Sequence, residues 1–282
     1  MTELQRCDSI GAPPVPDKAA FPFVKWVGGK RQILPRLLEH VPSQFGRYFE
    51  PFVGGAALYF SLRPERATIA DVNTRLIRTY AGVRDRVEEV IALLERYPYD
   101  ETFFYEMRSV AVDALGDAEV AAWFIYLNRA GFNGLYRVNK RNVFNVPFGR
   151  YSNPSICNAP ALRAASAALA HVELRNEDFE AVVAHAAPGD FVYFDPPYVP
   201  LSATSSFTSY ARGGFDADEQ RRLRDVALAL KRRGVHVVLS NSSAPLVYEL
   251  YAEQFEIVEV SARRNVNSVG NGRGAITELI IR

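Results

Sequence analysis

The stretch "RYFEPFVGGAALYFSL" (residues 47–62) sets the pattern from which the fold is predicted. Aromatic residues run into Glu50, a turn follows at Gly54 and Gly55, and an apolar helical segment covers Ala56–Leu62. A strand that passes through a glycine turn into a helix is typical of α/β proteins, whose open sheets bind ligands beyond the carboxyl ends of the strands. The turn is therefore either part of a ligand site or a purely structural connection.

Six further short segments rich in β-branched and aromatic residues continue this pattern. They are TIA (68–70), HVELR (171–175), FVYF (191–194), VHVVLS (235–240), FEIVEV (255–260) and ITELIIR (276–282). Helical patterns lie between most of them, such as Phe179–His185 and Asp216–Arg233, with Asp216 as the N-cap. The alternation predicts a mainly parallel sheet covered on both faces, with the last two strands antiparallel because little lies between them.

The alternation is interrupted between about Asn73 and Pro160. Helical patterns cover 73–82, 85–97, 102–115 and 117–129, and "GFNGLYRVNKRNVFNVPFGRY" (131–151) indicates an irregular loop or hairpin. A helical block inserted into a sheet protein predicts a second domain. We place it at 73–160, with the sheet domain at 21–72 and 161–282 and a flexible leader at 1–20.

Composition excludes several classes of protein. Of the 282 residues, 48% are hydrophobic, which is enough for a sizeable core. No apolar run approaches the roughly 20 residues of a membrane helix, and the N-terminus lacks the apolar segment of a secretory signal. The two cysteines and four scattered histidines have no metal-ligand spacing. We therefore expect a cytoplasmic protein with no membrane partner and no metal. We also expect it to be a monomer in solution.

Positive charge is concentrated in one part of the sequence, although the net charge is only +1. No Asp or Glu occurs from Val120 to His171, a segment that contains Arg129, Arg137, Lys140, Arg141, Arg150 and Arg163. Such segregation predicts a positive face for a polyanion, and the alternative is an ordinary solvated basic surface.

Two acids follow predicted strands directly. Asp71, in "TIADVN" (68–73), either accepts the hydroxyls of a ribose or caps the helix that begins there, and the preceding glycine turn favours the ribose. Asp195 opens "DPPY" (195–198), where Pro196 and Pro197 lack N–H groups and fix the backbone, so that their carbonyls are held in place and free.

This DPPY segment is suited to bind a planar base that carries an amino group. A carboxylate and a backbone carbonyl that accept its two N–H bonds would draw the nitrogen toward tetrahedral geometry and expose its lone pair to an electrophile. Tyr198 supplies a flat ring for stacking. The alternative is a proline-rich end of a strand.

Eight motifs together resemble one family. They are KWVGGK (25–30), EPFVGG (50–55), ADVN (70–73), NRAGFNGLYR (128–137), FNVPFGRY (144–151), DPPYVPLSATSSFTSY (195–210), LSN (239–241) and RRNVNS (263–268). In this order and spacing the chain resembles the Dam family of S-adenosylmethionine-dependent DNA adenine N6-methyltransferases. The resemblance implies a Rossmann-like seven-stranded methyltransferase sheet with an inserted, mainly helical target-recognition domain.

The resemblance also implies S-adenosylmethionine as the cofactor. Trp26 would offer it a surface, Lys30 would pair with its carboxylate, and Asp71 would hold its ribose. The implied cofactor set is Trp26, Lys30, Glu50, Phe52, Gly54, Asp71, Asp178, Phe179 and Asp195.

Duplex DNA is the implied partner, and GATC is the implied target. The implied catalytic pocket for an adenine flipped out of the duplex is Asp195, Pro196, Pro197 and Tyr198. Arg137 and Lys25 would contact guanines, and Leu135 and Pro147 thymine methyl groups. The implied DNA-binding set is Lys25, Arg129, Phe132, Asn133, Leu135, Arg137, Asn139, Pro147 and Tyr151. Phe132 stands where many relatives have Tyr, which keeps an aromatic wedge and removes a hydroxyl.

Other functions remain open at this point. The same chemistry serves cytosine N4, an RNA base or a protein glutamine, although cytosine enzymes usually have Ser before the two prolines and glutamine enzymes Asn. A binding module without catalysis is a further alternative, which the intact Lys30, Asp71 and Asp195 disfavour.

Overall fold

The computed structural model describes residues 20–201, 215–263 and 275–282. Its strands are β1 (Tyr48–Glu50), β2 (Ala67–Ala70), β3 (Val172–Arg175), β4 (Phe191–Phe194), β5 (His236–Ser242), β6 (Ile257–Arg263) and β7 (Ala275–Ile281). Its α-helices are α1 (Leu34–Leu38), α2 (Ala57–Leu62), α3 (Thr74–Asp85), α4 (Val87–Arg96), α5 (Glu101–Ser109), α6 (Asp117–Ala130), α7 (Ala159–Leu169), α8 (Val182–His185), α9 (Ala217–Arg232) and α10 (Pro245–Tyr251). Short 3₁₀ turns lie at Lys30–Gln32, Val112–Ala114, Phe132–Gly134 and Phe179–Ala181.

Three predicted features lie outside the described residues. They are residues 1–19 of the leader, residues 202–214 of the Ser/Thr-rich loop and residues 264–268 of the RRNVNS motif.

The seven strands form one sheet in the order β3-β2-β1-β4-β5-β7-β6. The first five strands in this order are parallel, and β7 runs antiparallel between β5 and β6. The predicted seven-stranded Rossmann-like sheet is thus confirmed, as is its antiparallel end. The chain reverses direction across the sheet between β1 and β4, which is where open α/β sheets bind ligands. Glu50, Asp71 and Asp195 all lie at this carboxyl edge.

Alternate residues of the central strands enter two apolar cores. Tyr48 of β1 and Phe191 of β4 belong to the core on one face, whereas Phe49 and Val192 belong to the core on the other. Because successive side chains of a strand point to opposite faces, strands covered on both sides read as continuous apolar runs. This is why FVYF was recognisable as a strand.

Helices α3 to α6 share one continuous core with the first of these faces. Tyr80 of α3 and Phe124 of α6 pack in the same cluster as Ile69 of β2 and Tyr193 of β4. The hydroxyl of Tyr80 also donates to the carbonyl of Gly54 at 2.9 Å. Helix α3 therefore belongs to the layer that covers the sheet, and a separate domain at 73–160 stays a prediction.

Several predictions about single segments can be compared with the structure. Asp216 Oδ1 accepts hydrogen bonds from the N–H groups of Asp218 and Glu219, at 3.0 and 3.1 Å, and so caps α9 as predicted. Backbone bridges between Gly131 and Phe148 and between Val138 and Phe144 confirm a hairpin-like fold for 131–151. Within the described ranges, no helix is both long and apolar enough to cross a membrane.

Candidate active site

Asp195 stands directly after β4, at the carboxyl edge of the sheet, and its side chain is 22% exposed. Its Oδ1 lies 2.8 Å from the ammonium of Lys30 and accepts a hydrogen bond from the Ser240 hydroxyl, also at 2.8 Å. No described residue pairs with its Oδ2. Burial raises the pKa of Asp195, while Lys30 and Ser240 favour the ionised form and oppose that rise.

Lys30 is almost fully buried and makes three contacts. It pairs with Asp195, donates to the carbonyl of Gly28, and lies 4.6 Å from the centre of the Tyr198 ring. The sequence put Lys30 and Asp195 in one cofactor set but did not predict the ion pair between them. An ammonium and a carboxylate buried together compensate each other's loss of hydration.

The DPPY segment is fixed by residues from two other elements. Gln220 of α9 donates to the Pro197 carbonyl at 2.9 Å, so the expectation that both proline carbonyls are free is wrong for Pro197. The physical reason is that the buried amide of Gln220 needs a partner. No described residue donates to the carbonyl of Pro196. Tyr198 donates to Glu278 Oε2 at 2.9 Å, which holds its ring in place.

The end of β5 completes this support. The LSN motif (239–241) includes Ser240 and Asn241, but the sequence predicted no role for either residue. Asn241 Oδ1 accepts from the Val199 N–H at 3.1 Å, and the Ser242 hydroxyl donates to the Val199 carbonyl at 2.6 Å. With Ser240 they form three consecutive buried polar residues. A polar triplet that ends an apolar strand was the available signal, since buried polar groups need a structural or functional reason.

The glycine turn packs against Trp26. Gly54 has φ of +44°, and a Cβ added there would lie 2.5 Å from Cδ1 of the indole ring. The indole also stacks with Phe124 and Tyr136, with ring centres 6.4 and 6.1 Å apart. Trp26 thus connects the predicted cofactor turn with α6 and the hairpin.

Glu50 is buried at the end of β1, where the Tyr48 hydroxyl donates to its Oε2 at 2.8 Å. Burial raises the pKa of Glu50 to about 8, so its carboxyl is largely neutral at pH 7. A neutral acid at this position offers both a donor and an acceptor.

Asp71 links the glycine turn to the start of α3. It accepts from the N–H of Asn73 at 2.9 Å and from the N–H of Gly54 at 3.4 Å. Burial raises the pKa of Asp71 to about 6. The helix is capped by Asn73, which accepts from the Leu76 N–H, so the alternative of Asp71 as the N-cap is wrong.

An aromatic group lies beside these residues. Phe52 stacks on Phe179 with ring centres 5.2 Å apart, and Phe215 meets both at their edges. Asp178 does not point freely into this space. It forms an ion pair with Arg222 at 2.6 Å, and the same guanidinium lies 4.4 Å above the Phe179 ring.

A second group of predicted residues meets around Asn128, which the sequence analysis did not single out. Its buried amide accepts from the Lys25 N–H at 2.7 Å and donates to the carbonyls of Lys25 and Gly134. The ammonium of Lys25 lies 5.0 Å from the centre of the Tyr151 ring. Burial and the nearby Arg129 lower the pKa of Lys25. Asn128 therefore joins the KWVGGK motif to the hairpin.

The remaining predicted DNA-binding residues lie on the hairpin. Arg137 donates from Nε to Asn145 Oδ1 at 2.7 Å, between the two arms of the hairpin. Asn139 Oδ1 accepts from two backbone N–H groups of the hairpin turn, which is a structural contact. Phe132 is 48% exposed. Asn133 and Pro147 are also exposed, and Leu135 is half-buried.

The acid-free stretch is partly neutralised by acids from elsewhere. Arg163 forms two hydrogen bonds with Glu88, at 2.6 and 2.7 Å, and Arg150 lies 3.8 Å from Glu101. These two cations contribute little net positive charge. In the described part of the chain, Lys140 and Arg141 are exposed and form no ion pair. Positive charge is therefore less concentrated on the surface of the protein than it is along the sequence.

Comparisons with known proteins extend along most of the chain. The family model for D12 class N6 adenine-specific DNA methyltransferases matches residues 26–266. The Type II methyltransferase M1.LlaDCHI of Lactococcus lactis subsp. cremoris is 44% identical over 268 residues, covering 92% of this chain and 94% of that protein. The Type II methyltransferase M.MjaIII of Methanocaldococcus jannaschii is 39% identical, covering 92% and 98%. The DNA adenine methylase of Escherichia coli K12 is 35% identical, covering 92% and 93%.

Proposed function

This chain belongs to the D12 class of N6 adenine-specific DNA methyltransferases, and we propose that it methylates adenine N6 within GATC in duplex DNA. The methyl donor is S-adenosylmethionine, and the target base is flipped out of the helix. Membership of this class favours adenine in DNA over cytosine, an RNA base or a protein glutamine. The enzyme acts in the cytoplasm as a monomer.

The geometry of the DPPY segment is the observation that supports this proposal most directly. Asp195 keeps Oδ2 without a described partner, and the Pro196 carbonyl accepts no hydrogen bond from a described residue. Two acceptors at one edge match the two N–H bonds of an exocyclic amine. Tyr198, held by Glu278, offers its ring for stacking on the base.

These residues hold the amine and then its proton. Asp195 Oδ2 and the Pro196 carbonyl each accept one N–H bond, which localises the nitrogen lone pair away from the ring. The cofactor supplies an electrophilic methyl group when it is bound. Methylation leaves a positive charge on the nitrogen, and Asp195 both stabilises that charge and accepts the proton that is released.

The residues around the carboxyl edge fit the cofactor in type. The positive φ of Gly54 lets a ligand approach the backbone, Asp71 presents a carboxylate next to it, and Phe52 and Phe179 offer apolar ring faces. Glu50 and Trp26 flank the turn. Asp178 is engaged by Arg222, and Lys30 by Asp195, so both ion pairs must open or rearrange for these residues to bind the cofactor.

Residues 73–160 are proposed to read the target sequence. Arg137 would contact a guanine edge from the hairpin, and Lys25 would contact the first guanine from beside Asn128. The exposed ring of Phe132 would occupy the space left by the flipped base, whose extrusion costs a few kcal/mol.

Methylation of defined duplexes tests the proposal. The purified full chain is incubated with S-adenosylmethionine and duplexes that contain GATC or a single-base variant of it, and methyladenine is measured by mass spectrometry. We expect N6-methyladenine in GATC duplexes only. Absence of methyladenine from every duplex would refute the activity, whereas equal methylation of the variants would refute the sequence assignment alone.

Asp195→Asn serves as the matched variant because it keeps the size of the side chain and removes its charge. We expect it to lower kcat by roughly 100-fold or more while DNA binding is kept. An equal loss of DNA binding would show that Asp195 acts through the structure and not on the amine.

A further inference from the structure

Ser240 lies beside Asp195 because of the register of the sheet. Phe194 of β4 pairs with Leu239 of β5 in a parallel ladder, so the next residues of the two strands, Asp195 and Ser240, are neighbours at the carboxyl edge. Ser240 is fully buried. Its hydroxyl lies 2.8 Å from Asp195 Oδ1 and 2.9 Å from the Tyr193 hydroxyl, and it also interacts with the side chain of Tyr198.

The chemistry of these groups fixes the direction of both hydrogen bonds. An ionised Asp195 has no proton to donate, so the single hydroxyl proton of Ser240 goes to Oδ1. The Tyr193 hydroxyl must then donate to Ser240 Oγ, since that oxygen has no second proton. The result is a chain of two donations that begins at Tyr193 and ends on one oxygen of the carboxylate.

We propose that Ser240 is a positioning residue for the methyl-transfer reaction, which engages Oδ1 of Asp195 so that Oδ2 is presented to the target amine. This inference rests on the proposed function. Lys30 also contacts Oδ1, but its flexible ammonium is shared with the Gly28 carbonyl. A short hydroxyl on a buried strand holds its direction more strictly than a long lysine side chain does.

The same donation helps to keep Asp195 ionised at the pH at which the enzyme works. The titratable groups around this carboxyl are Lys30, Tyr48 and Glu50 of β1, Tyr193 of β4 and Tyr198, whose hydroxyl donates to Glu278 of β7. Burial raises the pKa of Asp195, and the Ser240 hydroxyl opposes that rise. Loss of the hydroxyl therefore moves the acidic limb of the rate profile to higher pH.

The experiment compares Ser240→Ala with Ser166→Ala in the full chain. Ser166 of α7 is a matched control because its hydroxyl also makes a hydrogen bond, which it donates to the backbone carbonyl of Arg84 at 3.0 Å. For Ser240→Ala we expect kcat to fall roughly 10- to 100-fold, with the dissociation constants of S-adenosylmethionine and GATC duplex changed less than about threefold. The acidic limb of kcat/KM should shift upward. Ser166→Ala should match the wild type in every measurement.

Two results would overturn the inference. One is an unchanged kcat in Ser240→Ala. The other is a lower kcat with an unmoved acidic limb, which indicates a structural role only. If the alanine variant melts too low to assay, Ser240→Cys replaces it, because a thiol occupies similar space and is a weak donor, and the same loss and the same shift are expected. A wild-type protein that methylates nothing would refute the proposed function instead.

Discussion

Replacing Gly54 by alanine tests whether the glycine turn after β1 is part of the cofactor site. Gly54 has φ of +44°, a conformation that costs an L-residue about 1–2 kcal/mol. The added Cβ would also lie 2.5 Å from Cδ1 and 2.7 Å from Nε1 of Trp26. Because carbon atoms make favourable contacts at about 3.5–4.0 Å, the indole ring must move by roughly 1 Å.

The displacement would reach a second residue of the proposed site. The Gly54 N–H donates to Asp71 Oδ2 at 3.4 Å, so a shift of the turn also releases the carboxylate that is assigned to the ribose. A misplacement of about 1 Å in a positioned site reduces function by up to roughly 100-fold. We expect Gly54→Ala to weaken S-adenosylmethionine binding at least tenfold, or about 1.4 kcal/mol, in calorimetric titrations without DNA.

Gly189→Ala supplies the matched control. Gly189 has φ of +84°, precedes β4 at the opposite edge of the sheet, and has no described atom within 4 Å of an added Cβ. It should lose a similar 1–2 kcal/mol of stability and keep its cofactor affinity. Wild-type affinity in Gly54→Ala would refute the placement of the turn in the site. Equal losses of affinity in both variants would show that affinity follows overall stability.

The order of the elements was predictable because its signals are local. Short runs of aromatic and β-branched residues indicate the strands. Asp216 caps α9 through hydrogen bonds to residues only two and three positions away. Helices α1 and α10 escaped prediction because each is short and has a proline in its first turn, and proline is as typical of a turn as of the start of a helix. The alanine-rich α7 escaped for a related reason, because small residues mark a buried face weakly.

Packing between distant segments was not predictable in the same way. The pattern of α3 shows which residues are apolar but not which surface they cover, so the packing of Tyr80 against the sheet was not predictable. The motifs predicted that Lys30 and Asp195 both lie at the carboxyl edge of the sheet. They did not predict the ion pair between the two residues, because that contact depends on the path of the chain between them.

Further outcomes are expected for three other variants. Arg137→Ala should lose about 1–3 kcal/mol of discrimination between GATC and duplexes that vary at one base pair. Arg163→Ala is the control, because Arg163 pairs with Glu88, and it should keep this discrimination. Equal losses in the two variants would contradict the assignment of Arg137. Arg75→Met should lower the free energy of unfolding, measured in urea, by about 1–3 kcal/mol. The buried guanidinium of Arg75 donates a hydrogen bond to the Asn142 carbonyl at 2.8 Å, and the variant loses it. A change near zero would contradict this. The free energy of unfolding of Glu50→Gln, relative to that of the wild type, should increase as pH rises from about 5 to 8. Burial raises the pKa of this carboxyl to about 8, so the folded wild type holds a proton that the unfolded chain releases; parallel stability curves would contradict it.

Lys30 has one observed anionic partner and one proposed partner, and this gives a reason for the role that is proposed for Ser240. In the structure its ammonium compensates Asp195, while the family resemblance assigns it to the carboxylate of the cofactor. If cofactor binding draws Lys30 away, Asp195 loses its cation, and its burial then favours the protonated form, which cannot accept both the amine N–H bond and the released proton. The Ser240 hydroxyl does not depend on Lys30 and keeps one hydrogen bond on the ionised carboxylate throughout. The target amine, which becomes positively charged during transfer, then supplies the compensation that Lys30 provided before.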